Sequence, residues 1–413
     1  MKSCDTSPLL PYDEALEQLT GSVQTLPSVV ETPLLEARGR VLAADIEAGI
    51  DVPGCAMSSM DGYAVNTADL AVEGGTELPL SQRIAAGDAE ARLEPGTAAR
   101  IFTGAPVPEG ADAVIMQEQV EALEQSIRFE QRPNSGQNVR PAGNDIRRGT
   151  TILERGCRLR AQDIGLAASV GLQTLPTFAP VRVGIFFTGD ELVEPGEALA
   201  SGKIYDSNRY TLHGLLEAMG CDIVDLGLVG DTLEATRAAM LDASSRADLV
   251  VTSGGVSVGE EDHVRIAIEQ LGELRMWRLG IKPGKPLAYG RINGTAFMGL
   301  PGNPVSVFAT FCLFVCPVIQ IMQGRSWRKP LALPLRADFD WPKPDSRREF
   351  LRARLVDGDG GETRVQIYPN QDSGVLTSTV WADGFVEIPE NSTVSRGDTV
   401  DYLPFAQFTG AGL

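Results

Sequence analysis

The stretch Thr252-Ser253-Gly254-Gly255-Val256-Ser257-Val258-Gly259-Glu260-Glu261-Asp262 decides how this chain is read. It follows the apolar run from Asp248 to Val251 and precedes a helical pattern from about His263, so it predicts a strand, a glycine-rich turn and a helix. Glycines let a backbone take positive φ and approach a ligand closely. The free amides and positive dipole end at a helix start then favour an anion. The acidic residues at the far end of the turn suit a hard cation, so a phosphate with a bridging metal matches both halves.

Working outward, the segment from 181 to 327 alternates strand and helix. Val181 to Phe187 reads as a buried strand, Ser207 to Met219 as a helix closed by Gly220, and Asp222 to Val229 as a second strand. Asp231 with Glu234 makes a capping box for a helix through Ser245. Asp248 to Val251 is the third strand and Arg275 to Ile281 the fourth, with a hairpin through Asn293-Gly294 joining two short runs. Asn303 and Pro304 then cap and start a long apolar helix. This is a doubly wound α/β domain with a mainly parallel sheet, whose ligands are expected beyond the carboxyl ends of the strands. Thr188-Gly189-Asp190-Glu191-Leu192, Gly230-Asp231, Thr252 to Gly259 and Lys282-Pro283-Gly284-Lys285-Pro286 all fall on that rim.

The flanks differ. From 46 to 146, short apolar stretches between Gly, Pro and Asn predict an inserted β-rich domain, which carries Ser58 to Val65 and the loop Phe102 to Asp112. Segments 1–45 and 147–180 share a character and read as one discontinuous domain around it. The tail, 328–413, is β-patterned and barrel-like, with Arg347-Arg348-Glu349-Phe350 and Asn370 to Gly374 as its polar pieces. The whole is an α/β and β multidomain chain.

Composition narrows the chemistry. Thirty-six Lys and Arg against 55 Asp and Glu give a net charge of −19, which repels nucleic acid and anionic membranes. Six cysteines without a C-x-x-C pair, and no signal-peptide pattern from Met1 to Pro11, point to reduced thiols and a cytoplasmic location. Two histidines exclude a histidine-rich metal site. The run from Val305 to Met322 approaches bilayer length, but Ser306, Thr310, Pro317 and Gln320 interrupt it and favour a buried helix over a membrane span. No Walker loop and no G-x-G-x-x-G after the first α/β strand are present, which removes ordinary ATPase and dehydrogenase readings; Gly255 to Gly259 has G-x-S-x-G spacing, but neither His213 nor His263 lies in a convincing nucleophile-and-base arrangement, which disfavours serine hydrolysis. A Mg²⁺-assisted reaction of a phosphorylated ligand remains.

Seven motifs, in order, resemble the signature pieces of the molybdopterin molybdenumtransferase family, which includes the E domain of gephyrin. They are Met60 to Ala64, Phe102 to Asp112, Thr188 to Leu192, Tyr205 to Asn208, Thr252 to Gly259, Ile281 to Pro286 and Gly299 to Pro304. The resemblance implies an elongated homodimer of four-domain subunits, with the active cleft between the α/β domain of one copy and the β-rich domain of the other. It implies transfer of molybdenum from molybdate to adenylylated molybdopterin, releasing AMP. Asp61 and Thr103 would come from the β-rich domain, and Glu191, Asp231, Asp262, Lys282 and Lys285 from the α/β rim. Thr188, Gly189, Asp190, Ser253, Gly254, Gly255, Ser257, Gly259, Pro301, Gly302 and Asn303 would hold the pterin substrate. Glu191, Asp231 and Asp262 would hold Mg²⁺, and Pro286, Arg348 and Ser373 would sit near molybdate. An adenylyltransferase acting one step earlier shares the α/β core but usually carries a T-G-G-T-G loop where this chain has Ser253-Gly254-Gly255-Val256-Ser257. That enzyme upstream and cofactor-maturation proteins downstream are the implied partners; a dimeric scaffold is the non-enzymatic alternative.

Overall fold

The computed structural model describes residues 9–26, 28–71, 74–255, 263–358 and 360–409. Its centre is a six-stranded sheet in the order Asp222–Val229, Arg182–Thr188, Leu249–Ser253, Thr295–Leu300, Pro286–Ile292, Gly272–Arg278. The first four strands run parallel. Pro286–Ile292 reverses direction because Asn293-Gly294 turns it tightly onto Thr295–Leu300. The fourth expected strand ends earlier than the sequence suggests, at Arg278, and lies at the sheet edge against Pro286–Ile292.

Both faces of this sheet are covered, so its strands read as continuous apolar runs. Val183, Ile185, Phe187, Val251 and Met298 face one core, with the helix Asn208–Ala218 and the long apolar helix. Phe186, Val250 and Phe297 face the other, under the helices Leu233–Arg246 and His263–Leu271. Gly184 has a reason to be glycine: an added Cβ would stand 3.0 Å from Ala243 Cβ.

Of the most apolar 18-residue window within Pro304–Met322, 89% is buried, which marks it as a core helix rather than a membrane span. It is built from Pro304–Thr310, a π-helical turn at Phe311–Val315 and Cys316–Met322. One side faces the sheet. The other takes Tyr12, Ala15, Leu16 and Leu19 of the opening helix Tyr12–Gly21, with Phe350 and Phe385 of the tail. Tyr12 stacks edge-on against Phe314 and Phe350, with centroids 5.6 and 5.2 Å apart.

After that helix the chain enters a smaller unit. Val29–Pro33 pairs antiparallel with Thr174–Phe178, and Ile46–Glu47 with Thr151–Leu153, around buried Leu42, Leu153, Leu159 and Leu175. Between those partners lies a six-stranded sheet of short strands, ordered Ala113–Met116, Gly62–Val65, Ala98–Ile101, Thr76–Ile84, Ser126–Phe129, Glu121–Ala122. The tail closes into a barrel. Leu333–Ala337, Thr363–Ile367, Arg348–Asp357, Gly384–Ile388 and Thr399–Pro404 pair in turn, and the last returns to the first. A two-residue strand from the α/β unit, Ile281–Lys282, joins the barrel parallel to Arg348–Asp357. That junction fixes where the barrel meets the rim.

Candidate functional site

A cleft of about 610 Å³ opens at the carboxyl ends of the parallel strands. Its floor is glycine-rich for a steric reason. Gly254 has φ +93°, and a Cβ there would lie 2.7 Å from the Thr188 carbonyl oxygen. Gly284, at φ +101°, would drive a Cβ to within 2.5 Å of Thr310 Cγ2. Beneath the floor, Ser253 Oγ donates to the Pro301 carbonyl at 3.2 Å and accepts from Asn208 Nδ2 at 2.9 Å. The same amide donates to the Gly302 carbonyl at 2.7 Å, so one buried asparagine ties two rim loops together.

One wall is acidic. Glu191 and Asp231 line it, and Asp231 Oδ1 accepts from Thr188 Oγ1 at 2.9 Å. The sequence assigns Asp231 to capping the next helix. The structure gives that role to Thr232, whose hydroxyl accepts from the Ala235 amide at 3.2 Å, and Asp231 turns into the cleft instead. Asn303 is likewise no side-chain cap. It holds the N-cap position, but its Nδ2 donates to Ser373 Oγ at 2.9 Å and joins the apolar helix to the barrel.

The cleft also carries basic groups, Lys282, Lys285 and Arg347. Lys282 Nζ lies 2.8 Å from Glu349 Oε1 and 3.4 Å from Asp345 Oδ2. Arg347 forks onto Asp345, with Nε to Oδ1 at 3.0 Å and a terminal nitrogen to Oδ2 at 2.9 Å. That guanidinium, helped by Lys282, holds the Asp345 carboxyl well below the usual carboxylate range.

Most residues expected from the sequence meet here: Thr188, Gly189, Glu191, Asp231, Gly254, Gly255, Lys282, Lys285, Pro286, Pro301, Gly302, Asn303 and Ser373 all line the cleft. Ser253 lies just under it. Asp190 is outside, its carbonyl accepting from Lys203 Nζ. Ser257, Gly259 and Asp262 lie outside the described residues. Arg348 does not reach the cleft: neighbours on a strand point to opposite sides, and it pairs with Asp13 at 2.8 Å and Glu387 at 3.1 Å over the Tyr12 ring. Arg347, one residue earlier, takes the inward place. Asp61 and Thr103 are also absent from the cleft of their own chain. They bond each other, Asp61 Oδ1 accepting from the Thr103 amide at 2.8 Å and its hydroxyl at 2.9 Å. Those bonds, the backbone one first, lower the Asp61 pKa.

Sequence reasoning missed Arg352. Its side chain is 1% exposed, and burial pushes its pKa down to about 10. It donates to Ser378 Oγ at 3.0 Å and to the Asp372 carbonyl at 3.2 Å, while Gln371 exchanges two bonds with its main chain. Arg352 therefore shapes the Gln371–Ser373 lip of the cleft. An arginine inside an alternating strand was the only available signal.

Family models cover the chain in three pieces: the MoeA N-terminal region (domain I and II) over residues 10–171, a probable molybdopterin binding domain over 184–321, and the MoeA C-terminal region (domain IV) over 334–405. A molybdopterin molybdenumtransferase of Haemophilus influenzae is 39% identical over 409 residues, covering 97% of this chain and 100% of that protein. The chain belongs to the molybdopterin molybdenumtransferase family. A second relative, molybdopterin molybdenumtransferase 2 of Mycobacterium tuberculosis, is 35% identical over 88% of this chain and 91% of its own. The crystal structure of the molybdopterin biosynthesis moeA protein from Pyrococcus horikoshii superposes with a TM-score of 0.83 at 31% identity, over 96% of this chain and 100% of that one. The likeness therefore extends through all the units described above, the barrel included.

Proposed function

We propose that this protein is a molybdenum insertase: it transfers molybdenum from molybdate to adenylylated molybdopterin, releases AMP and yields the molybdenum cofactor. Membership of the family makes it a transferase of molybdenum cofactor biosynthesis. The observation that carries the finer reading is the division of charge within one cleft. The basic groups, Lys282, Lys285 and Arg347, supply donors for a tetrahedral oxyanion, and Lys and Arg are the side chains that bind such anions as point charge and planar fork. The glycine-rich floor lets a diphosphate approach the backbone. Glu191 and Asp231 line the same cleft as the lysines, so it can take a cation together with a diphosphate.

Among the described residues no three acidic, histidine or cysteine side chains converge as a metal cage. Mg²⁺ does not demand one, since it is commonly bound by one or two carboxylates with substrate phosphates and water completing the shell. Glu191 and Asp231 fit that demand, and Asp262 would join them. When bound, Mg²⁺ would neutralise the diphosphate and favour departure of AMP. Thr188 orients the Asp231 carboxylate through its hydroxyl, and Ser373, fixed by Asn303, marks the barrel side of the oxyanion position.

The test is AMP release by the purified protein given molybdate and adenylylated molybdopterin. The reading expects one AMP per molybdenum cofactor formed. Lys285 carries no ion pair among the described residues, so Lys285→Ala should leave the fold intact and slow AMP release at least about tenfold. No AMP from the wild-type protein, or full activity in Lys285→Ala, would overturn the reading. Formation of adenylylated pterin from ATP instead would favour the earlier adenylyl transfer.

A further inference from the structure

Two of the cleft's three cations have counter-ions already attached. Lys282 sits between Glu349 and Asp345, and Arg347 forks onto Asp345. The Glu349 carboxylate is 2% exposed, and its second oxygen accepts from Trp341 Nε1 at 2.7 Å. The main chain enforces the pair, because Lys282 and Glu349 are register partners where the α/β unit joins the barrel. Among the described residues, three cations, Lys282, Lys285 and Arg347, thus line or adjoin the cleft with five carboxylates: Glu191, Asp231 and Asp372 on the lining, Asp345 and Glu349 behind it.

Carboxylates attached to the lysine and arginine lower the positive potential that these side chains offer an oxyanion. We propose that Asp345 and Glu349 are specificity-determining residues that hold down the cleft's affinity for free inorganic oxyanions, so that sulfate, phosphate or molybdate is not retained on charge alone and stays only when the pterin substrate contributes to binding. This rests on the reading of the cleft as an oxyanion site. The opposite expectation is that the carboxylates serve the anion by holding Lys282 still. Magnitudes decide between them. A unit charge about 6 Å from a dianion, at an effective dielectric of about 20, outweighs the rotamer freedom of one lysine side chain.

The experiment is calorimetric titration of sulfate, phosphate and molybdate into the full-length wild-type protein, Glu349→Gln and Asp345→Asn, with circular dichroism melts to verify folding. Glutamine keeps an acceptor for Trp341 and removes only the charge. Both variants should bind all three anions at least about tenfold more tightly than wild type, with a steeper loss of affinity as salt is raised. Sulfate should also become an inhibitor of AMP release in the variants. Unchanged or weaker binding in the folded variants would overturn the proposal and assign the carboxylates to positioning. Should Glu349→Gln fail to fold, Asp345→Asn decides, since that carboxylate is partly exposed. Absence of AMP release in the wild type would strike the insertase reading, whereas the anion titrations judge this inference without turnover.

Discussion

At Gly254 a single hydrogen separates a working floor from a strained one. The residue holds φ +93° with the Thr188 carbonyl oxygen 2.7 Å from where a Cβ would stand. Gly254→Ala should cost about 1–3 kcal/mol in backbone strain and displace Thr188, whose hydroxyl aims Asp231. A lowered melting temperature together with reduced AMP release checks this; a normal melt with normal turnover would contradict it. The glycines were legible because the sequence places them between a strand and a helix, where only a backbone-approach role explains them. Two neighbouring choices were not legible, each by one residue. Asp231 and Thr232 both carry a side-chain acceptor ahead of the same helix, and a spacing rule cannot tell which one caps it and which one lines the cleft. Arg347 and Arg348 adjoin at the start of a barrel strand, and only the pleat decides which guanidinium enters the cleft. That pleat is set by the pairing of Lys282 with Glu349, a contact between distant parts of the chain.

Elements show the same division between local signal and distant partner. The alternation of strand and helix from 181 to 327 is written in local periodicity, and so are the barrel strands. The reversed direction of Pro286–Ile292 was legible through Asn293-Gly294, while the order of strands in the sheet was not, because no local pattern encodes which strand is neighbour to which. The apolar helix is the clearest case of a partner deciding the reading. Its composition suits a bilayer, yet the sheet, the opening helix and the barrel's aromatic face supply all the apolar surface it needs. Phe314, fully buried and edge-on to Tyr12, should therefore be costly to remove: Phe314→Ala should lose about 3–5 kcal/mol, read as a large fall in melting temperature. The helix Ala161–Ser169 offers a pH test. Asp163 accepts from the Arg160 amide at 2.8 Å and guanidinium at 3.0 Å, and the Arg160 side chain lowers its pKa. A carboxyl with a depressed folded pKa stabilises above its unfolded value of about 4 and loses that stability as pH falls through the folded value. Asp163→Asn should cost about 1 kcal/mol at neutral pH and flatten the acid limb of the melting-temperature profile. An acid limb as steep as wild type would remove Asp163 from that role.

For the whole molecule, the question is where Asp61 and Thr103 act. They are held rigidly to each other on the β-rich sheet, but the cleft of the same chain is lined by the α/β unit and the barrel without them. If they serve the reaction, a second copy must bring them, as in the homodimer that the family resemblance implies. That arrangement predicts complementation. Asp61→Ala and Lys282→Ala should each abolish AMP release alone, because every cleft in either homodimer lacks one essential group. Co-expressed in equal amounts with different tags, half the dimers are mixed, and in each mixed dimer one cleft receives an intact Asp61 and an intact Lys282. The other cleft of that dimer collects both defects. Activity should therefore return to about one quarter of wild type in the mixture, and to about one half in the purified mixed dimer, as two-fold symmetry demands. Mixed dimers with no activity would mean that Asp61 and Lys282 act within one chain or not in the same reaction. A monomer at assay concentrations that still releases AMP would exclude the shared cleft altogether, leaving the bond between Asp61 and Thr103 as a brace of the β-rich sheet.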